Sequence, residues 1–260
     1  MRGVILPVMS LWRREIVRFC RQRSRLTGAF VQPLVFWLLL GGGLRASFRP
    51  PGTVPGTSYV EYIYPGIIAM VLLFTAIFAT ISVVEDRQQG FLQGVLVAPV
   101  PRGSIVLGQA VGCTTLAVMQ GVIFLLMAPF AGISLTVASV LQVTIVMALV
   151  AFGLSSLGLL IAWRLDSTQG FHAIMNLILL PMWVLSGAFF PTAGLPIWVE
   201  WTMRLNPLTY GMAALRRCLY LGNPDAAGAV PGLPLALSVT IAFCIVSFAA
   251  AVAATRGRAA

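Results

Sequence analysis

Apolar residues run along most of this chain in blocks too long for strands and too continuous for helices with one wet face. Six blocks stand out, at 26–44, 62–84, 104–130, 135–162, 170–190 and 232–253. A helix needs about 20 mostly apolar residues to cross a hydrocarbon layer about 30 Å thick, and each block reaches that scale. Barrel strands would instead alternate over about ten residues. Only structures that close their own backbone hydrogen bonds survive in lipid. The pattern predicts an all-α polytopic membrane protein with six transmembrane helices.

The first 25 residues follow another rule. Val8, Leu11, Trp12, Ile16, Phe19 and Cys20 recur at helical spacing on one face, with Arg13, Arg14, Arg18, Arg21 and Arg25 toward the other. That is the pattern of an interfacial helix lying in the headgroup plane, with Trp12, Arg13, Arg14 and Phe19 as its contact residues. A signal peptide is excluded, because seven arginines overfill its basic region and no small-x-small cleavage site follows.

Composition sharpens this picture. The 260 residues are 59% hydrophobic and 9% charged, against about 45–50% and about 25% in ordinary soluble domains. All 17 basic residues are arginine, giving a net charge of +10. Without a lysine the chain carries neither a P-loop of its own nor a Schiff-base nucleophile. Segments 1–25, 85–103, 163–169 and 254–260 hold 12 arginines in 58 residues, whereas 45–61, 131–134 and 191–231 hold 5 in 62. The positive-inside rule then places both termini in the cytoplasm. The excess charge faces anionic membrane lipid rather than nucleic acid. Four unclustered cysteines and a single histidine, His172, indicate neither a disulfide framework nor a metal site.

Two polar interruptions are informative. The segment 85–103 opens with Glu85, Asp86 and Arg87, continues through Gly90, Phe91 and Leu92, and ends at Pro99, Pro101 and Arg102. It suits a short helix across the cytoplasmic mouth that meets a soluble partner. A plain connection is the other reading, although antiparallel neighbours usually need only about 2–8 residues. The segment 191–231 contains Pro191, Pro196, Asn206, Pro207 and Tyr210, with two short apolar stretches at 196–205 and 207–221. These predict an outer re-entrant helical pair before the last span. An aromatic belt of Trp198, Trp201 and Tyr210 is the alternative.

The spans hold almost no charge, which disfavours an ion-coupled carrier. An integral membrane enzyme acting on lipid would need converging carboxylates, histidines or a nucleophile, and none is in evidence. Gly108 and Gly112, and Gly153, Ser155, Ser156 and Gly158, permit close helix approach.

In order, Tyr64-Pro65-Gly66-Ile67-Ile68-Ala69-Met70, Glu85-Asp86-Arg87, Gly90-Phe91-Leu92, Ala98-Pro99-Val100, Arg102 and Leu107-Gly108 resemble the membrane subunit of ABC-2 type exporters. The later Phe189-Phe190-Pro191, Leu195-Pro196 and Asn206-Pro207-Leu208-Thr209-Tyr210 extend the resemblance, which is to the daunorubicin-resistance and nodulation-factor type. It implies one transmembrane domain over 1–260, in the bacterial inner membrane, paired with a second permease subunit as a homodimer or heterodimer. It also implies a separate ATP-binding cassette subunit that holds ATP and magnesium, leaving this chain non-catalytic and without a cofactor. Cargo in that family includes hydrophobic drugs, glycolipids and polysaccharide precursors. The resemblance assigns a coupling helix at 87–99. Glu85, Asp86 and Arg87 would anchor it, Gly90, Phe91 and Leu92 would dock into the cassette, and Pro99 and Arg102 would belong to the same partner interface. Phe190, Pro191, Pro196, Asn206, Pro207 and Tyr210 would shape an outer gate. Phe74, Phe78, Phe124 and Trp183 are candidates to line the pathway, with lipid-facing or packing roles as the alternative.

Overall fold

The computed structural model describes residues 2–43, 58–97, 100–189, 195–222, 227–228 and 230–256. The predicted site residues Pro99, Phe190 and Pro191 lie outside the described residues. All regular structure among the described residues is helical: α1 Arg2–Arg21, α2 Arg23–Gly43, α3 Tyr59–Ala79, α4 Ile81–Gln88, α5 Phe91–Val97, α6 Arg102–Leu126, α7 Val137–Ala162, α8 Thr168–Trp183, α9 Ile197–Leu205, α10 Pro207–Leu219 and α11 Leu233–Arg256. A π-helical turn, Val184–Ala188, ends α8, and a 3-10 turn, Ala128–Ala131, follows α6.

Five stretches are long and apolar enough to cross a bilayer: Tyr59–Gln88, Arg102–Leu126, Val137–Ala162, Thr168–Ala188 and Leu233–Thr255. They correspond to five of the six expected spans. The expected first span, 26–44, falls in α2, where the apolar run is only Phe30–Gly43. Thr27 and the two arginines before it take the start of that helix, so its apolar part is short of the roughly 20 residues a perpendicular crossing needs.

Helix α3 is the axis of the fold. It is buried along nearly its whole length and packs against α2, α6, α7, α8 and α10. Helices α7 and α6 form the next layer, with α11 on α7 and α1 on α6. The outward faces of α6, α7, α8 and α11 stay apolar, with Leu126, Leu141, Ile145, Leu177, Ile245 and Val246 exposed. In water such a surface would be a liability, whereas lipid is its natural solvent.

Interfaces form where side chains are missing. A β-carbon at Gly108 would lie 3.0 Å from Leu11 Cβ and from Val8 O, and one at Gly112 would lie 2.9 Å from Glu15 Cβ. The expected close approach is therefore made by α1, which lies along the first half of α6. Trp12 fastens it by donating its indole N–H to Thr115 Oγ1 at 3.0 Å. Leu11, Glu15 and Phe19 are buried in this seam.

Gly112→Val should drive a branched side chain into Glu15 and cost about 1–3 kcal/mol, the usual range for overpacking. Thermal unfolding in detergent tests this, and an unchanged midpoint would contradict the seam.

Candidate functional site: a clamped elbow and a stitched helix break

At one end of the bundle α4 and α5 form an elbow. Gly90 makes the turn between them at φ +76, a left-handed conformation that glycine adopts without a Cβ penalty. Its N–H closes on Arg87 O at 3.1 Å. The last turn of α4 carries Glu85, Asp86 and Arg87, and two acids at a helix carboxyl end oppose the helix dipole. The fold supplies the missing charge from α1. Arg14 forks onto both carboxylate oxygens of Asp86 at 2.5 Å each. Arg18 donates to Asp86 Oδ1 at 2.8 Å and also to Glu85 Oε2. Asp86 is only 1% exposed, so this is a desolvated pair rather than a surface contact. The Arg14 guanidinium also lies 3.9 Å above the Phe91 ring, a cation–π arrangement that ties the start of α5 to the same arginine.

This corrects the expected face of α1. Arg13 and Arg21 are exposed as expected, but Arg14 and Arg18 turn toward the acids, and Cys20, expected on the apolar face, is exposed. Arg87 points the other way. It donates to Leu165 O at 2.7 Å and Trp163 O at 3.1 Å, and meets Asp166 Oδ1 at 3.2 Å. It thereby caps the carboxyl end of α7 and locks α4 to the turn into α8. Arg102 lies apart from the elbow, donating to Thr255 O at 2.9 Å near the end of α11. Leu92 is 3% exposed and belongs to the chain's own core, so the free face of α5 is Phe91, Gly94 and Val97.

The other end of the bundle contains a helix break. Helix α8 ends in its π-helical turn with Gly187 at φ +84, and a π-turn releases backbone carbonyls from their regular partners. Three side chains of the α10 segment take them up. Asn206 Nδ2 donates to Met182 O at 2.7 Å, while its Oδ1 caps α10 by accepting Leu208 N–H at 3.0 Å. Thr209 Oγ1 donates to Leu185 O at 3.3 Å, and Arg216 donates to Gly187 O at 3.1 Å. Pro207 occupies the first turn of α10, where its missing N–H costs nothing. Tyr210 O–H donates to Arg204 O at 3.0 Å and closes the α9–α10 corner, while Pro196 precedes α9.

The same unit is bonded to α3. Trp183 Nε1–H donates to Gly66 O at 2.8 Å and Tyr220 O–H to Glu61 O at 2.9 Å. Pro65 has no N–H, so Glu61 O lacks its regular helical donor and the tyrosine supplies one. Arg216 is 2% exposed. It falls in register with Met212 and Leu219 on the buried face of α10, and that periodicity was the available sign of its burial.

The profile of the ABC-2 type transporter family matches residues 7–220, a stretch that holds both the clamp and the stitched break. The chain belongs to the ABC-2 type transporter family. It is similar to the putative transport permeases ycf38 of Porphyra purpurea and Cyanophora paradoxa, 29% and 30% identical, over 82% of this chain and 74% and 73% of those proteins. It is also 29% identical to Nodulation protein J of Rhizobium leguminosarum bv. trifolii, over 85% of this chain and 84% of that protein. It is a multi-pass transmembrane permease of an ABC transporter.

In this permease a cavity of about 290 Å³ opens between α1, α2, α3 and α8. Phe19, Phe74, Phe78 and His172 give it an aromatic wall, with Gln32 and Thr75 as polar points. The Phe78 ring lies between those of Phe74, at 5.8 Å, and His172, at 5.5 Å, tilted to them by 33° and 37°. Two of the four expected pathway aromatics thus line a space. The other two, Phe124 and Trp183, are packed in the core. Among the described residues no carboxylate or arginine lines the cavity. Among the described residues no group of three metal-ligating side chains occurs.

Two outcomes follow from the clamp. Asp86→Ala leaves Arg14 and Arg18 without their main acceptor and should cost about 1.5–3 kcal/mol, the scale of hydrogen bonds to charged groups, read from chemical or thermal unfolding. Glu15, in the α1 seam, has its carboxyl pushed above the ordinary 4.5 chiefly by burial. The folded state then holds a proton that the unfolded state releases, so this contribution is full below 4.5 and is lost as pH rises through the folded value. Glu15→Gln should therefore raise the unfolding midpoint at neutral pH and flatten its decline above 4.5. The same pH slope in both proteins would refute it.

Proposed function

We propose that this permease exports a hydrophobic or amphipathic compound, such as a drug, a lipid or a lipid-linked glycan, using ATP hydrolysed on a separate cassette subunit. The elbow carries this reading. Helix α5 offers an exposed apolar edge, with Phe91 43% and Val97 86% exposed, while its root is locked to α1 through Arg14 and Arg18 and to α7 through Arg87. A push on α5 by a closing cassette would reach α3, α6 and α7 as a rigid displacement, because the linking groups are desolvated or chelated rather than loose.

In this proposal α2, 21 residues long and so about 30 Å at ~1.5 Å per residue, supplies the sixth span with its polar start in the headgroup layer, α1 lies at the cytoplasmic interface, and both termini face the cytoplasm of a bacterial inner membrane. Helices α9 and α10 form the outer re-entrant pair, with Pro196, Asn206, Pro207 and Tyr210 shaping the gate. The whole chain acts as one transmembrane domain, paired with a second permease subunit. The absence of lysine supports a chain that leaves ATP and magnesium to its partner. The aromatic wall of the cavity, with no carboxylate or arginine among its described lining residues, supports apolar cargo. Relatives named transport permease and Nodulation protein J support the transport role.

Coexpression of the tagged permease with candidate ATP-binding cassette subunits from the same genome tests the reading. The cassette should copurify with the wild-type permease, the permease alone should hydrolyse no ATP, and Phe91→Glu with Val97→Glu should cut cassette recovery by about tenfold, the effect of about 1.4 kcal/mol. Full recovery in the double variant would overturn the assignment of α5.

A further inference from the structure

We propose that Arg216 is the positioning residue of the outer gate, a latch that holds the broken end of α8 against α3 while the pathway is closed. The inference rests on the export reading and assigns its gate a moving part. Asn206 and Thr209 join α10 to the break, at Met182 O and Leu185 O. Arg216 alone of the three also crosses to α3. Its Nη2 donates both to Gly187 O at 3.1 Å and to Tyr62 O at 3.2 Å, and its guanidinium lies 4.0 Å from the Tyr62 ring.

The boundary it spans is smooth. A β-carbon at Gly66 would come within 2.8 Å of Ala188 Cβ, so no interlocked side chain holds α3 to the break at that point. Helix α10 and the α8 end form one unit, and the boundary with α3 depends on donors reaching carbonyls of the first turns of α3: Arg216 to Tyr62, Tyr220 to Glu61 and Trp183 to Gly66. A guanidinium stays charged at any working pH, and burying one is expensive unless all its donors are met. Among the described residues Nε has no hydrogen-bond partner. An apolar residue would fill the position more cheaply. Among those residues the cation is held by carbonyls and a ring, an arrangement suited to release, because water replaces carbonyl acceptors one for one when the boundary parts. Opening thus trades protein acceptors for solvent and needs no carboxylate to be abandoned.

The test uses the full permease with its cassette in a background where Cys20, Cys113, Cys218 and Cys244 are replaced and Ala213→Cys reports. Ala213 is 1% exposed, one turn before Arg216. A membrane-impermeant maleimide is applied to right-side-out and inverted vesicles without ATP. The reporter should be protected in the parent. It should react about tenfold faster from one side in Arg216→Met, the scale of a lost charge-assisted hydrogen bond, with Arg216→Lys in between. If Arg216→Met does not accumulate, Arg216→Lys decides alone. Parental labelling rates in the accumulating variants would overturn the latch. Addition of ATP separates the two claims: a parent whose labelling ignores ATP counts against the driven-export reading, while the ATP-free comparison still decides the latch.

Discussion

A carboxylate at the end of a helix is held against the helix dipole and away from water only if cations come to meet it, and Asp86 is met by two. Everything at that end of the molecule follows from this constraint. Helix α1 must lie close enough to α4 for Arg14 and Arg18 to fork onto one acid, so it must also lie close to α6. Gly108 and Gly112 make that approach possible. The clamp and the glycine seam are one device, since lifting α1 from α6 would pull both arginines off Asp86.

The opposite end solves a different problem with backbone rather than charge. A π-turn and a proline leave carbonyls without helical donors, and in an apolar surrounding each must find another. Side chains at positions 206, 209, 216 and 220 supply them. The two ends therefore differ in kind. The elbow is locked by paired ions that are costly to separate, whereas the break is fastened by single donors to carbonyls, which exchange readily with water. The proposed export mechanism, driven at the elbow and gated at the break, is served by that asymmetry.

The long apolar runs made five of the spans legible in the sequence, because continuous hydrophobicity over more than 20 residues has few other uses in an α-helical chain. The run 26–44 was harder to read, since polar residues occupy the start of α2. Gly108 and Gly112 announced a close helix partner, but spacing within α6 cannot say which helix comes. Helical periodicity set the arginines of α1 opposite its apolar face and suggested lipid headgroups for all of them. That Arg14 and Arg18 instead meet Asp86 depends on a contact some 70 residues away in the chain, which no local pattern encodes. The break in α8 was likewise silent, because a π-turn has no period of its own. Its partners were visible only as the run Asn206-Pro207-Leu208-Thr209-Tyr210, while Arg216 betrayed itself only by sitting in register with apolar neighbours.

The central claim is that α1 and the α4–α5 elbow move as one body. Spin labels at Arg13 on α1 and Gln89 at the α4–α5 turn, both exposed positions, measure it directly by pulsed dipolar spectroscopy on the permease with its cassette. The account predicts an Arg13–Gln89 distance that stays constant between nucleotide-free and ATP-trapped states, while the distance from Gln89 to a label at Trp198 on α9 changes. A shift in the Arg13–Gln89 distance on ATP trapping, with the elbow moving independently of α1, would contradict it.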